Sequence, residues 1–243
     1  MSIKHSIENL LRGYPALFQF GSRVYHWFNN SFTTLSPGTP EAILKAFQII
    51  KAEQCDPVGD YYEFGLFRGY AFLKAYDHCK QLGLDGVRFY GFDSFKGLPA
   101  AEGIDTADGR FFEGQFACSK GDVEKNLEAN GMDMSRTALI EGFYEDSLTD
   151  ELHQQHDFKS ASIVLLDCDY YSSTVEALAW LERYIVDGTI LLFDDWFSYG
   201  DDDQLGQPKA YEEFLAKHSD YSSEHLWRFG NHGNAYRISL GQS

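Results

Sequence analysis

The segment from Ser162 to Trp196 constrains the fold of this chain more than any other. Residues 162–169 read Ser-Ile-Val-Leu-Leu-Asp-Cys-Asp, an amphipathic stretch runs to Ile185, and residues 188–196 read Gly-Thr-Ile-Leu-Leu-Phe-Asp-Asp-Trp. Two short apolar runs joined by one helix length of chain are the pattern of neighbouring parallel strands with a crossover helix. Strands buried on both faces read as unbroken Ile, Val and Leu rather than as alternation. In open parallel sheets ligands bind beyond the carboxyl ends of the strands. Asp167, Asp169, Asp194 and Asp195 all fall there. Carboxylates crowded on one rim repel one another unless a cation or a proton relieves them. A metal site is the first expectation.

The rest of the chain extends the same alternation. Helix-like apolar spacing in residues 1–36 stops at Leu-Ser-Pro-Gly-Thr-Pro, and Thr39-Pro40 reads as an N-cap and first-turn proline. Ile43, Leu44, Phe47 and Ile50 then give a helix one apolar face. Strands are expected at 60–64, 87–93 and 137–141, and helices at 69–83, 123–129, 148–156 and 208–217. Residues 100–119 lack periodicity, which marks a functional or disordered loop. Two closing strands, near 223–230 and 234–240, are joined by Asn231-His-Gly-Asn234. The fold class is therefore α/β, a doubly wound, mostly parallel sheet with an antiparallel C-terminal hairpin and N-terminal helices. We divide it into an N-terminal helical lid, dimer or packing region, 1–56, and a main domain, 57–243.

Charge narrows the partners. A formal net charge of −17 argues against a nucleic-acid binder, which needs a basic surface. No stretch approaches a membrane span, and no signal peptide is visible. Cys55, Cys79, Cys118 and Cys168 have no paired spacing and read as reduced thiols of a cytoplasmic protein.

The first glycine turn, Glu63-Phe-Gly65-Leu-Phe-Arg-Gly69, carries an acid where a dinucleotide fingerprint has its first glycine. A carboxylate at a strand tip repels a pyrophosphate but suits a cationic ligand. S-adenosylmethionine, with a sulfonium, an α-amino group and no phosphate, fits. Asp93 ends the next strand, where an acid binds ribose hydroxyls. An all-carboxylate rim suits Mg²⁺, Mn²⁺ or Ca²⁺ rather than zinc. His153 and His156 read as a solvated helix face, and Asp201–Asp203 as a solvated loop. Asp167 or Asp169, more readily Asp169, reads alternatively as the cap of the following helix. A methyl donor beside a divalent ion points to O-methylation, with the metal stabilising the alkoxide and a carboxylate as base.

These residues resemble the macrocin O-methyltransferase family. The resemblance is carried by Glu63–Gly69, Phe92-Asp-Ser-Phe-Lys-Gly-Leu-Pro99, Gly142-Phe-Tyr-Glu-Asp-Ser-Leu148, Leu166-Asp-Cys-Asp-Tyr-Tyr-Ser-Ser-Thr174 and Gly188–Trp196. It implies a seven-stranded class I methyltransferase fold, S-adenosylmethionine, Mg²⁺ and methylation of a sugar hydroxyl on a natural-product glycoside or polysaccharide. Under it Glu63, Phe64, Gly65 and Gly69 line the methionine end of the cofactor. Asp93 and Ser94 hold the ribose, and Gly142 and Phe143 lie near the adenine. Asp167, Asp194 and Asp195 ligate the metal, with Asp167 also the candidate base. A homodimer is implied too. Cys168 stands where a small residue is usual and Trp196 where Tyr is usual, so the acceptor is the open question. The alternatives are a catechol-like phenol acceptor, a metal- or nucleoside-binding module without catalysis, and a nicotinamide-dependent dehydrogenase, which Glu63 disfavours.

Overall fold

The computed structural model describes residues 32–33, 36–53, 58–107 and 111–241. The apolar spacing of residues 1–31, and Cys55, lie outside them. Helix α1 (Thr39–Ala52) comes first, followed by β1 (Asp60–Phe64), α2 (Tyr70–Gln81) and β2 (Phe89–Asp93). Next are α3 (Lys120–Ala129), β3 (Thr137–Glu141), and two one-turn helices, α4 (Tyr144–Ser147) and α5 (Leu152–Gln155). The last part holds β4 (Ala161–Leu166), α6 (Tyr171–Leu181), β5 (Ile185–Phe193), α7 (Gly206–Lys217), β6 (Tyr221–Phe229) and β7 (Gly233–Leu240).

The strands form one seven-stranded sheet in the order β3-β2-β1-β4-β5-β7-β6. The first five are parallel; β7 runs antiparallel to β5 and β6. The strand order reverses between β1 and β4, which makes that edge the topological switch point. β1 and β4 are buried along their whole length, as their sequences require.

Alternation along the strands divides the core in two. Tyr61, Phe89, Ile163, Leu165 and Leu192 face α1, α2 and α3, where Ile43, Phe47, Phe72 and Leu127 meet them. Tyr62, Phe64, Phe92, Val164 and Phe193 face α6 and α7, against Trp180, Tyr211 and Phe214. Each fully buried Ile, Leu, Val or Phe side chain contributes roughly 1.5–3 kcal/mol, and α1 places three such, Ile43, Phe47 and Ile50, on the first face. Glu63 falls on the same face as Tyr61, two residues on.

Several local expectations are corrected. Gly38, in the left-handed region (φ 105°), is the N-cap of α1, so the Thr39 hydroxyl is free for another use. The expected 148–156 helix is only the one turn of α5; Leu148, which leaves helical geometry (ψ 63°), ends the separate turn α4 before it. The histidines there are not a solvated face. His153 stacks on Trp180 (ring centroids 4.8 Å, 8° between planes) and its Nδ1 lies 2.5 Å from the Tyr184 hydroxyl. His156 packs on Phe158 at 5.2 Å. The hairpin turn is residues 230–232.

The 100–119 loop is pinned rather than loose in its described parts. Leu98 and residues 114–115 pair through two backbone hydrogen bonds, Leu98 N–H to Gln115 O and Gly114 N–H to Leu98 O, both 2.9 Å. Asp105, buried, accepts from the Tyr171 and Ser172 amides at 2.7 and 3.2 Å. The cap of α6 is therefore Asp105, not Asp167 or Asp169.

Candidate active site

The first turn is shaped by a collision narrowly avoided. Gly65 has φ 90°, and a Cβ there would sit 1.8 Å from the Asp167 carbonyl oxygen. Only glycine lets the tips of β1 and β4 approach this closely. Gly69 (φ 83°) then opens α2. Glu63 is 1% exposed; it accepts from the Tyr61 hydroxyl at 2.6 Å and from the Phe72 amide in the first turn of α2. Burial dominates, and with Asp194 and Asp93 nearby it pushes the carboxyl up to about 8.

Asp93 closes the turn from the β2 side. One carboxylate oxygen accepts from the Leu66 and Phe67 amides (2.7 and 3.1 Å) and the other from the Phe95 amide (2.6 Å). A carboxylate offers about four acceptor positions, which leaves one beyond these three. The Ser94 hydroxyl donates to Gly97 O and accepts from the Lys96 amide within its own turn.

At the other side of the switch point stand the β4 and β5 tips. Oxygens of Asp167, Asp194 and Asp195 lie within 4.8 Å of one another. Burial, then Asp194, Asp195, Asp169 and Glu63 in turn, hold the Asp167 carboxyl well above the usual range. Burial also raises Asp194, against hydrogen bonds from Ser36 and Thr39 that favour its charged form. The Thr39 hydroxyl donates at 2.5 Å, so the N-terminus of α1 is fastened to this acid. Asp195 is aimed by the Asp169 amide (3.0 Å) and the Ser198 hydroxyl (3.2 Å). Its own amide donates to Gln207 Oε1 at 3.0 Å, and Gln207 Nε2 donates to Leu166 O at 2.9 Å. Gln207 thus ties β4 to β5 from the first turn of α7.

A cleft of about 600 Å³ joins the two halves; Glu63, Gly65, Asp93, Ser94, Gly142, Phe143, Asp167 and Asp195 line it. Three expected residues do not. Phe64 is fully buried and stacks on Phe92 (4.5 Å, 6°), so its side chain serves the core. Asp194 sits behind the rim, and Gly69 beside Val123 and Leu127. Of the two departures from the family pattern, Cys168 lines the cleft. Trp196 belongs to an aromatic group with Phe193, Tyr211 and Tyr236. Asp201–Asp203 stay exposed, and Asp202 and Asp203 accept hydrogen bonds from Gln204.

Sequence reasoning missed Asp105, Gln207, Thr39 as a hydroxyl donor, and His232, which enters the cleft from the β6–β7 turn. It also missed the aromatic wall. Phe67, Phe111 and Phe116 line the cleft, and Phe67 and Phe116 hold positive φ (48° and 62°), as does Asp169 (61°). Non-glycine residues in that region cost of order 1–3 kcal/mol and cluster at functional sites.

This sheet order with an acidic turn after β1 defines a class I methyltransferase. The sequence model of the family described as macrocin-O-methyltransferase (TylF) matches residues 41–218, and the chain belongs to that family. It is an O-methyltransferase. Among solved structures, the O-methyltransferase NovP superposes with a TM-score of 0.67 at 20% identity, over 82% of this chain and 79% of that one. The calicheamicin methyltransferase CalS11 gives 0.60 at 19% identity, over 81% and 79%. An O-methyltransferase from Bacillus cereus, solved with SAH, gives 0.57 at 14% identity, over 98% and 97%. No curated protein sequence matches the chain.

Proposed function

We propose that the protein transfers the methyl group of S-adenosylmethionine to a hydroxyl of a sugar, with Mg²⁺ at the acidic rim. The observation that carries this reading is one cleft lined by an acidic glycine turn and, across the switch point, by Asp167 and Asp195, with an oxygen of Asp194 within 4.8 Å of theirs. Glu63, Gly65, Asp93, Ser94, Gly142 and Phe143 form the cofactor end. Asp167, Asp194 and Asp195 fit a hard divalent cation, because all donors are oxygens and the crowding that raises the affinity of Asp167 for a proton also raises it for a cation. When bound, the ion lowers the pKa of an acceptor hydroxyl. Asp167 would take the proton of the acceptor hydroxyl, and the bound donor would supply the methyl group and depart as the neutral thioether. The turn would hold the donor for that attack, and positioning of this kind is worth roughly 7–11 kcal/mol.

CalS11 is described as a TDP-rhamnose 3′-O-methyltransferase, which supports a sugar acceptor here. Its identity to this chain is 20%, so the acceptor itself must be measured. Titration calorimetry with S-adenosylmethionine, on EDTA-stripped protein with and without Mg²⁺, should give micromolar binding. Methyl-labelled donor should then label pyranosides rather than catechols, and D167N should lose transfer while keeping cofactor binding. Labelling of catechols alone would replace the sugar reading with the phenol one.

A further inference from the structure

The β6–β7 turn brings to the cleft one side chain that the mechanism above leaves unused. His232 lines the cleft, and the turn that carries it is fixed from two sides. A Cβ on Gly230 would lie 2.5 Å from the Pro37 carbonyl oxygen, so the turn rests on the backbone just ahead of α1. On the other side, Phe197 N–H donates to His232 O at 2.9 Å. Phe197 is itself covered by the Arg228 guanidinium, 4.1 Å from its ring centroid. Ser198, next along, donates to Asp195 at 3.2 Å. The imidazole and the rim are therefore held by one short segment, and the charge His232 can carry is felt at Asp194.

The ring's own bond decides what it offers. Its Nδ1 stands 3.2 Å from Phe197 O. A carbonyl oxygen only accepts, so Nδ1 carries the hydrogen and the neutral ring keeps its lone pair on Nε2. Among the described residues no hydrogen bond reaches that nitrogen. His232 also stands outside the cation set, since among the described residues Asp167, Asp194 and Asp195 alone bring ligand atoms within 4.8 Å of one another. This side of the cleft is thus bounded by acceptors, the carboxylates of Asp167 and Asp195 and one imidazole nitrogen. An occupant that meets both kinds must donate at two points. A carboxylate beside a cation draws a proton off a hydroxyl. Neutral imidazole accepts a hydrogen bond without adding charge, so a hydroxyl seated on it keeps its proton. Because the same segment holds imidazole and rim, the two donors must be near neighbours, as vicinal hydroxyls are.

We propose that His232 Nε2 binds the acceptor, accepting a hydrogen bond from the ring hydroxyl adjacent to the one that is methylated. The enzyme then takes a vicinal diol of a sugar and methylates the hydroxyl on the rim side. This rests on the sugar O-methyltransferase reading and adds what selects the hydroxyl.

The test uses the full chain with Mg²⁺ and methyl-labelled S-adenosylmethionine, on methyl hexopyranosides and their monodeoxy counterparts, in wild type, H232N and H232Q. Asparagine places an N–H where Nδ1 was and nothing at Nε2. Glutamine places its amide at Nε2 and gives up the bond to Phe197 O. For the pyranoside labelled fastest, kcat/KM should fall tenfold or more in H232N and stay near the wild-type value in H232Q. S-adenosylmethionine affinity, read by calorimetry, should stay within twofold in both. In the wild type, deleting a hydroxyl next to the methylated one should cost the same factor; in H232N it should cost nothing further. The opposite ranking, H232Q impaired and H232N normal, makes His232 a pin for its turn and overturns the proposal. Equal loss in both variants overturns it too, as does a wild type indifferent to every neighbouring hydroxyl. With each of these results, sugar labelling leaves the methyltransferase reading standing. Labelling of no pyranoside removes the sugar reading and the role of His232 with it, and no S-adenosylmethionine binding removes the methyltransferase reading as well.

Discussion

Glu63 shows how one residue is tuned by placement. Its carboxyl is pushed up to about 8 by burial, whereas in the unfolded chain it returns to the usual value near 4.5. Between these values the native state holds a proton that the unfolded state does not, so stability falls as pH rises through that window. At pH 7 the penalty is on the order of 3 kcal/mol. E63Q mimics the protonated form and can still accept from Tyr61. It should raise the melting temperature by roughly 5–10 °C at pH 7, and the gain should shrink to about a quarter of that at pH 5. A pH-independent gain would show that the carboxyl is not held neutral. The same variant should weaken S-adenosylmethionine binding, since the cationic donor loses its counter-charge. Gly65 is the complementary case. G65A would place a methyl group against Asp167 O and spread the β1 and β4 tips, so cofactor affinity should drop at least tenfold in calorimetry.

The sequence made the strands and long helices legible, because their periods are set by burial and their ends by acids and glycines. The connections between elements were not legible in the same way. Thr39 before Pro40 has the form of an N-cap, yet the helix begins at Gly38 and the hydroxyl reaches Asp194, 155 residues on. Asp105 lies in a stretch without periodicity, and nothing local says that its carboxylate caps α6, 66 residues away. Gln207 looks like any polar residue in a first helical turn, but it is completely buried and bridges two strands. These contacts depend on tertiary approach, which a local pattern does not encode. They also predict distinct phenotypes. D105A removes an N-cap and should cost about 1 kcal/mol, seen as a melting temperature lower by roughly 2–4 °C. Q207L removes the hydrogen bonds to the Asp195 amide and to Leu166 O; groups that orient metal ligands typically account for 10–100-fold in affinity. Mn²⁺ affinity, read by electron paramagnetic resonance, should fall by that factor while S-adenosylmethionine affinity holds. Unchanged Mn²⁺ affinity would mean the β4–β5 tips keep their register without it.

Over the whole molecule, the fold concentrates charge where the sheet topology gives it no cheap escape. A net charge of −17 is spread over the surface, but the costly part is Glu63, Asp167, Asp169 and Asp194, each raised first of all by burial. Ionised together and without a cation, they oppose folding. Because their folded pKa values lie above the unfolded ones, the cation-free protein should be most stable at mildly acidic pH and lose stability as pH rises. The divalent ion proposed for Asp167, Asp194 and Asp195 would bind the ionised form and compete with protons for it. Its stabilisation follows RT ln(1 + [L]/Kd), and Kd itself tightens as the acids ionise. The melting-temperature gain from a fixed concentration of Mg²⁺ in the millimolar range should therefore be small at pH 5.5 and grow steadily to pH 8. D194N, which removes one charge and one ligand, should flatten both the pH slope of the metal-free protein and the Mg²⁺ gain. A Mg²⁺ effect that does not change with pH would place the ion at surface carboxylates, because those are already ionised at pH 5.5 and have no proton to give up.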